Sequence, residues 1–178
     1  MNTISPTESV RQALEVFVIT LKVCDAINSG RWTADALKEH VTYKGEKESL
    51  WVPIHHHEVT QEGLKSWGDA VLYYSSIMLA IAADEALNRH FGNQPLEEPD
   101  LQRRAARCIV YMIRCTGAHQ PIRPIWVCKG PYNQVFEVPY LNVRLDCPSV
   151  DGQPVKASDF GGWSKLKMLV EFCMQGVS

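Results

Sequence analysis

Apolar residues return every three or four positions through Val10, Leu14, Phe17, Leu21, Cys24 and Ile27, the spacing that lines one face of an α-helix. Ser5-Pro6-Thr7-Glu8 leads into this run with a hydroxyl N-cap, a proline at the first helical position and a glutamate at the third, the ingredients of a reciprocal capping box. Asn28-Ser29-Gly30 stops it, so the pattern predicts a helix over residues 6–28. Leu64, Trp67, Val71, Tyr74, Met78 and Ile81 repeat the period after Thr60, with Gly92 beyond their end, and predict a longer helix over 62–91. Pro95, Pro99 and Asp100 then punctuate the chain before a third helix over about 100–116. On its wheel Ala105, Cys108, Ile109 and Met112 form one stripe, and Arg103, Arg107 and Arg114 gather on the opposite one. After Gly161-Gly162, the spacing of Trp163, Leu166, Leu169, Val170 and Cys173 predicts a last helix over 162–175.

The intervening stretches read differently. A short helical segment is expected from Thr33 to His40, and residues 41–60 read as a polar connection holding Pro53 and His55-His56-His57. Across about 121–159, Pro121, Pro124, Pro131, Pro139, Pro148 and Pro154 exclude long helices, while Ile125 to Val127, Val135 to Val138 and Leu141 to Leu145 suggest short strands. Asp151-Gly152 suits a tight turn. Four amphipathic helices must bury their apolar stripes against one another. The expected fold is therefore mainly α, an antiparallel helical bundle in one domain over residues 1–178, with a small β-rich insertion before the last helix.

Composition narrows the function classes. The chain has 178 residues, 46% hydrophobic and 21% charged, with 18 Lys+Arg against 20 Asp+Glu and a net charge of -2. That balance supplies no general electrostatic footprint for nucleic acid and leaves only a local basic patch open. Six scattered cysteines, with no C-x-x-C, argue against a disulfide scaffold or zinc ribbon and for a reducing cytoplasm. The opening residues lack the basic start and apolar run of an export signal. The longest apolar stretches are expected to be too interrupted to span a bilayer.

The most informative segment is Ile113-Arg114-Cys115-Thr116-Gly117-Ala118-His119. Arginine offers a permanent charge and a planar fork suited to phosphate, and histidine exchanges a proton near neutral pH, so Arg114 and His119 form a minimal kit for phosphodiester chemistry. This segment resembles the R-x(4-6)-H motif of the HEPN family, small helical bundles whose motif sits at the end of a central helix. Pro124-Ile125-Trp126, Leu145-Asp146, Asp151-Gly152-Gln153-Pro154-Val155 and Asp159-Phe160-Gly161-Gly162 before an amphipathic final helix are similar to bacterial members with an elaborated C-terminal half. The likeness covers roughly residues 64–175.

What the resemblance implies is a homodimer with two motif copies facing one cleft and, in active members, metal-independent cleavage of single-stranded RNA by attack of the ribose 2′-hydroxyl. In that role Arg114 stabilises the charge developing on the phosphorane and His119 moves the proton. Such proteins act as toxins or defence effectors, which adds a cognate antitoxin or regulatory protein to the expected partners; no cofactor and no membrane partner is implied. Cys115 departs from the pattern, because many active members carry a polar residue, commonly asparagine, directly after the arginine and a thiol is a poor donor. The rival expectation is a non-catalytic HEPN-like dimeric module that binds a nucleotide, RNA or a regulatory protein.

Neighbouring residues carry further expectations. Arg103 and Arg107 extend a basic track for an RNA backbone or, equally, pair with Glu97, Glu98 or Asp100 on a solvated face. Tyr111, one turn before Arg114, is placed to stack on a base or to pack. His55-His56-His57-Glu58 points alternately to opposite sides if extended, which disfavours a shared metal ion and leaves an exposed loop. Cys115 lies four residues before His119, but no third group is identifiable to orient a thiol nucleophile. Trp67, Tyr73 and Tyr74 are read as core or dimer-interface residues. Gly161-Gly162 lacks the lysine and spacing of a phosphate loop.

Overall fold

A computed structural model describes residues 4–37, 41–44, 49–52, 60–119 and 124–177. The chain is mainly α. Among the described residues the α-helices are α1 (Pro6–Asn28), α2 (Gln61–Phe91), α3 (Leu101–His119), the single turn α4 (Cys147–Val150) and α5 (Trp163–Cys173), with short 3-10 turns and strands between them. Internal contacts divide the chain into two units, one formed by Met1–Phe17 with Tyr74–Ser178 and the other by Val18–Tyr73.

The helix starts follow from side chains that satisfy orphan backbone donors. The Glu8 amide donates to Ser5 Oγ at 3.2 Å, that of Gly63 to Thr60 Oγ1 at 3.0 Å, and that of Arg103 to Asp100 Oδ1 at 2.8 Å. The capping box at Ser5 is one-sided, since the Glu8 carboxylate turns to Arg11 at 2.6 Å instead of back to the cap. At the far end of α2, Gly92 adopts φ 87, a left-handed conformation that glycine takes without steric cost.

In the larger unit α3 is the central element. Ala105, Ala106, Cys108, Ile109, Val110, Met112 and Ile113 are all buried, and α3 contacts α5, the strand β3 (Val135–Val138) and the 3-10 turn Pro95–Glu97. Leu166, Leu169, Val170 and Cys173 carry the α5 side of this core. β3 pairs antiparallel with β4 (Val143–Asp146), with Phe136 opposite Leu145 and Val138 opposite Val143, so the alternating inward residues Phe136, Val138, Val143 and Leu145 face the helices. The expected strand near Ile125 is a single bridge to Pro154. This β-rich region is tied to the segment entering α5 by Trp126, fully buried, whose Nε1 donates to Asp159 Oδ2 at 2.7 Å.

The smaller unit departs from expectation in one place. Within the stretch read as a polar connection, β1 (Val41–Lys44) and β2 (Ser49–Val52) form an antiparallel hairpin, with Val41 opposite Val52 and Lys44 opposite Ser49. Of the helical segment expected from Thr33 to His40, Ala34–Leu37 is a 3-10 turn, and residues 38–40 lie outside the described residues. Cys24 Sγ donates to the Gly68 carbonyl at 3.2 Å, and a Cβ on Gly68 would stand 3.2 Å from Ile27 Cδ1, so glycine permits a close approach of α1 and α2 here. His55, His56 and His57 lie outside the described residues.

The expectation that no segment is apolar enough to span a bilayer needs correction. By length and composition α2 qualifies, with a window of mean hydropathy 1.4. In the structure 56% of that window is buried, and the buried polar residues Ser75, Ser76 and Asp84 lie on the same helix. Packing within the protein thus buries just over half of the window, as in a core helix, and leaves Tyr74 and Met78 of α2 exposed.

Candidate functional site

α3 runs farther than its sequence suggested. Gly117 does not end it; the helix continues to His119 as its last residue. A Cβ at Gly117 would fall 2.5 Å from Ile77 Cγ2 and 2.6 Å from Ile77 Cδ1, so this glycine lets the end of α3 lie against α2. Continuous helix sets Arg114 and His119 about 7.5 Å apart along the axis and about 140° apart around it. The His119 side chain and residues 120–123 are outside the described part.

Arg114 is partly exposed, its side chain at 40%. Its Nε lies 3.3 Å from Oδ2 of Asp84, a buried carboxylate of α2, and its Cζ stands 6.0 Å from the centroid of the Tyr111 ring. Burial pushes the Asp84 carboxyl above its ordinary value, while the Arg114 charge and a hydrogen bond from Asn88 oppose the rise. Asp84 is the site residue that sequence reasoning missed. It sits in an apolar run on α2, and only the return of α3 reveals which cation it faces.

Tyr111 and Cys115 share the Arg114 side of the helix, all three half-buried. The neighbouring Cys115 thiol and burial raise the Tyr111 pKa, and the Tyr111 ring stacks on Tyr132 at 4.9 Å between centroids with a 31° tilt. Tyr132 continues the row to Phe136 at 6.4 Å, and burial pushes its own pKa up to about 12. Tyr111 is therefore part of an aromatic row between α3 and the β-rich region, which favours packing over base stacking.

The other two arginines correct the picture of an exposed basic track. Arg107 is 2% exposed: its Nη1 donates to Glu98 Oε2 at 3.1 Å and its Nη2 to the Gly92 carbonyl at 2.6 Å. Arg103 places Nε 3.0 Å from Glu98 Oε1, an ion pair too poorly aligned for a hydrogen bond, and lies with Cζ 4.6 Å above the Phe91 ring. Glu98, itself buried, thus joins two arginines, and Arg104 Nε donates to its carbonyl at 2.6 Å. The pairing with Glu98 was one of the two expectations for Arg103 and Arg107, but it is internal and not a solvated face. The helical wheel ignores the chain segment that returns over this side of α3.

Of Arg103, Arg107 and Arg114, the last is the most exposed, its side chain at 40% against 29% and 1%, and it lies beside a buried carboxylate five residues before a helix-terminal histidine. Comparison with protein-family models, curated proteins and solved structures finds no match. The chemistry of the site rests on its own residues.

Proposed function

We propose that the protein is a metal-independent endoribonuclease of the HEPN type, acting on single-stranded RNA as a homodimer in the cytoplasm. What supports the reading is the presentation of Arg114: its shortest contact with Asp84 is made at Nε, 3.3 Å from Oδ2, its side chain is 40% exposed, and among the described residues its guanidinium donates no hydrogen bond. A partly exposed guanidinium beside a buried carboxylate, with hydrogen-bond donors to spare, is suited to the non-bridging oxygens of a phosphate. In the proposed step the ribose 2′-oxygen attacks the adjacent phosphorus, the bond to the 5′-oxygen breaks, and a cyclic phosphate remains. His119 serves proton transfer from the 2′-hydroxyl or to the departing 5′-oxygen, and Arg114 offsets the charge on the phosphorane.

Self-association is part of the proposal. Tyr74 and Met78 on α2 are 46% and 60% exposed, and an apolar groove of about 390 Å³ lies beside Met78, Ile81 and Val16. Large apolar side chains left in water favour burial against a second copy. Sedimentation at micromolar concentration is expected to show a dimer, and a monomer alone would reject this element. A cognate antitoxin or regulatory protein would act on such a dimer.

The test of the activity is purified protein against an RNA and the matched DNA in EDTA, with the cleaved ends identified. The proposal expects cyclic phosphate ends on RNA and no cleavage of DNA, which lacks the attacking hydroxyl. One observation favours the non-catalytic reading: the position after Arg114 is Cys115, whose thiol is a poor hydrogen-bond donor. RNA bound but uncut would decide for that alternative.

A further inference from the structure

A chain of polar contacts runs from the buried end of the α2–α3 connection to Arg114. Glu98 holds Arg107 at 3.1 Å, and the other Arg107 terminal nitrogen lies 3.5 Å from Asn88 Oδ1. Asn88 Nδ2 donates to Asp84 Oδ2 at 3.1 Å, and the same oxygen lies 3.3 Å from Arg114 Nε. Only one amide orientation serves both neighbours of Asn88, since a carboxamide has one accepting and one donating end and a flip would set donor against donor. Glu98, Arg107 and Asp84 are all buried, where such contacts have little competition from water.

We propose that Asn88 is a positioning residue that couples the buried Arg107–Glu98 pair to the Asp84–Arg114 pair, fixing the Asp84 carboxylate and, through it, Arg114. The coupling stands on geometry alone; its consequence for RNA cleavage rests on the ribonuclease reading. The charged and titratable groups around Asp84 are Glu85 on its own helix, Arg107, Arg114 and Tyr111 on α3, and Tyr132 beyond it. Asn88 is distinct among the neighbours of Asp84 in bridging it to a second buried ion pair.

The experiment follows the titration midpoint of the Asp84 carboxyl carbon by NMR in wild type, Asn88→Ala, Asn88→Asp, Arg107→Lys and the Arg107→Lys/Asn88→Ala double variant. Asn88→Ala removes a hydrogen bond to the carboxylate and should move the midpoint upward. Asn88→Asp keeps the volume, sets a like charge beside Asp84 and should move it further. Arg107→Lys keeps the positive charge but loses the fork, so it should move the midpoint while Asn88 is present and move it less when Asn88 is alanine. An unchanged midpoint in the Asn88 variants overturns the proposal, as does an Arg107→Lys shift of the same size in both backgrounds. RNA cleavage is read in parallel: an inactive wild type with the expected midpoint shifts rejects the ribonuclease reading and supports the coupling. An active wild type whose rate and Asp84 midpoint ignore Asn88 does the reverse.

Discussion

Glu98 and Arg107 each have a side chain only 1% exposed, so neither charge has water to fall back on. Such a pair adds little over an apolar replacement of both partners, but removing one leaves the other buried and uncompensated. Glu98→Ala should therefore lower unfolding stability by about 3–5 kcal/mol, measurable by urea titration at neutral pH, whereas Glu15→Ala should change it by less than about 0.5 kcal/mol. Glu15 pairs with Arg11 across a surface where both side chains are more than half exposed. Equal effects from the two substitutions would show that Glu98 is not held as described. The contrast also explains why this part of the candidate site was illegible in the sequence: Arg107 and Arg11 are the same residue type, each on a helix, and only the returning Gly92–Glu98 segment distinguishes a structural cation from a surface one.

Helices announce themselves in this chain because their period is local. The boundaries expected for α1 and α2 agree with the structure to within a residue, since Ser5, Thr60 and the glycines after each helix act on neighbouring backbone. Elements defined by distant partners were harder to read. The Val41–Lys44 and Ser49–Val52 hairpin was hidden because four-residue strands offer only two turns of the alternating period, and Pro53 beside polar residues suggested a loop. The helix expected to end near Thr116 runs on through Gly117 to His119, and the glycine makes room there for Ile77 on another helix. Gly117→Ala places a methyl group inside van der Waals contact and should cost about 1–3 kcal/mol, read as a lower Tm. Ile77→Ala combined with Gly117→Ala should recover part of the loss relative to the sum of the single variants. Strict additivity would mean that the two residues do not meet.

Across the whole molecule, five of the six cysteines are buried and free. Burial pushes the Cys108 and Cys173 thiols up to about 12 and raises Cys147 further. In the unfolded chain these thiols ionise near their ordinary value of about 8.5, so the folded protein binds more protons above that pH. The stability from keeping them neutral is complete below about pH 8 and is lost as pH rises toward 12, at up to about 1.4 kcal/mol per pH unit for each thiol. Urea midpoints should accordingly fall steeply between pH 8.5 and pH 10.5; midpoints that hold steady there would contradict burial of the three thiols.

The proposal for the whole molecule is that the two α3 copies of a homodimer bring a cation and a proton carrier to one phosphodiester, since on a single helix Arg114 and His119 lie about 140° apart. The initial rate of single-stranded RNA cleavage in EDTA, compared between wild type and His119→Ala of matching circular dichroism, bears on it most directly. Loss of a general acid-base group should slow cleavage at least about a hundredfold. Equal rates from the two proteins would place the activity elsewhere and contradict the account.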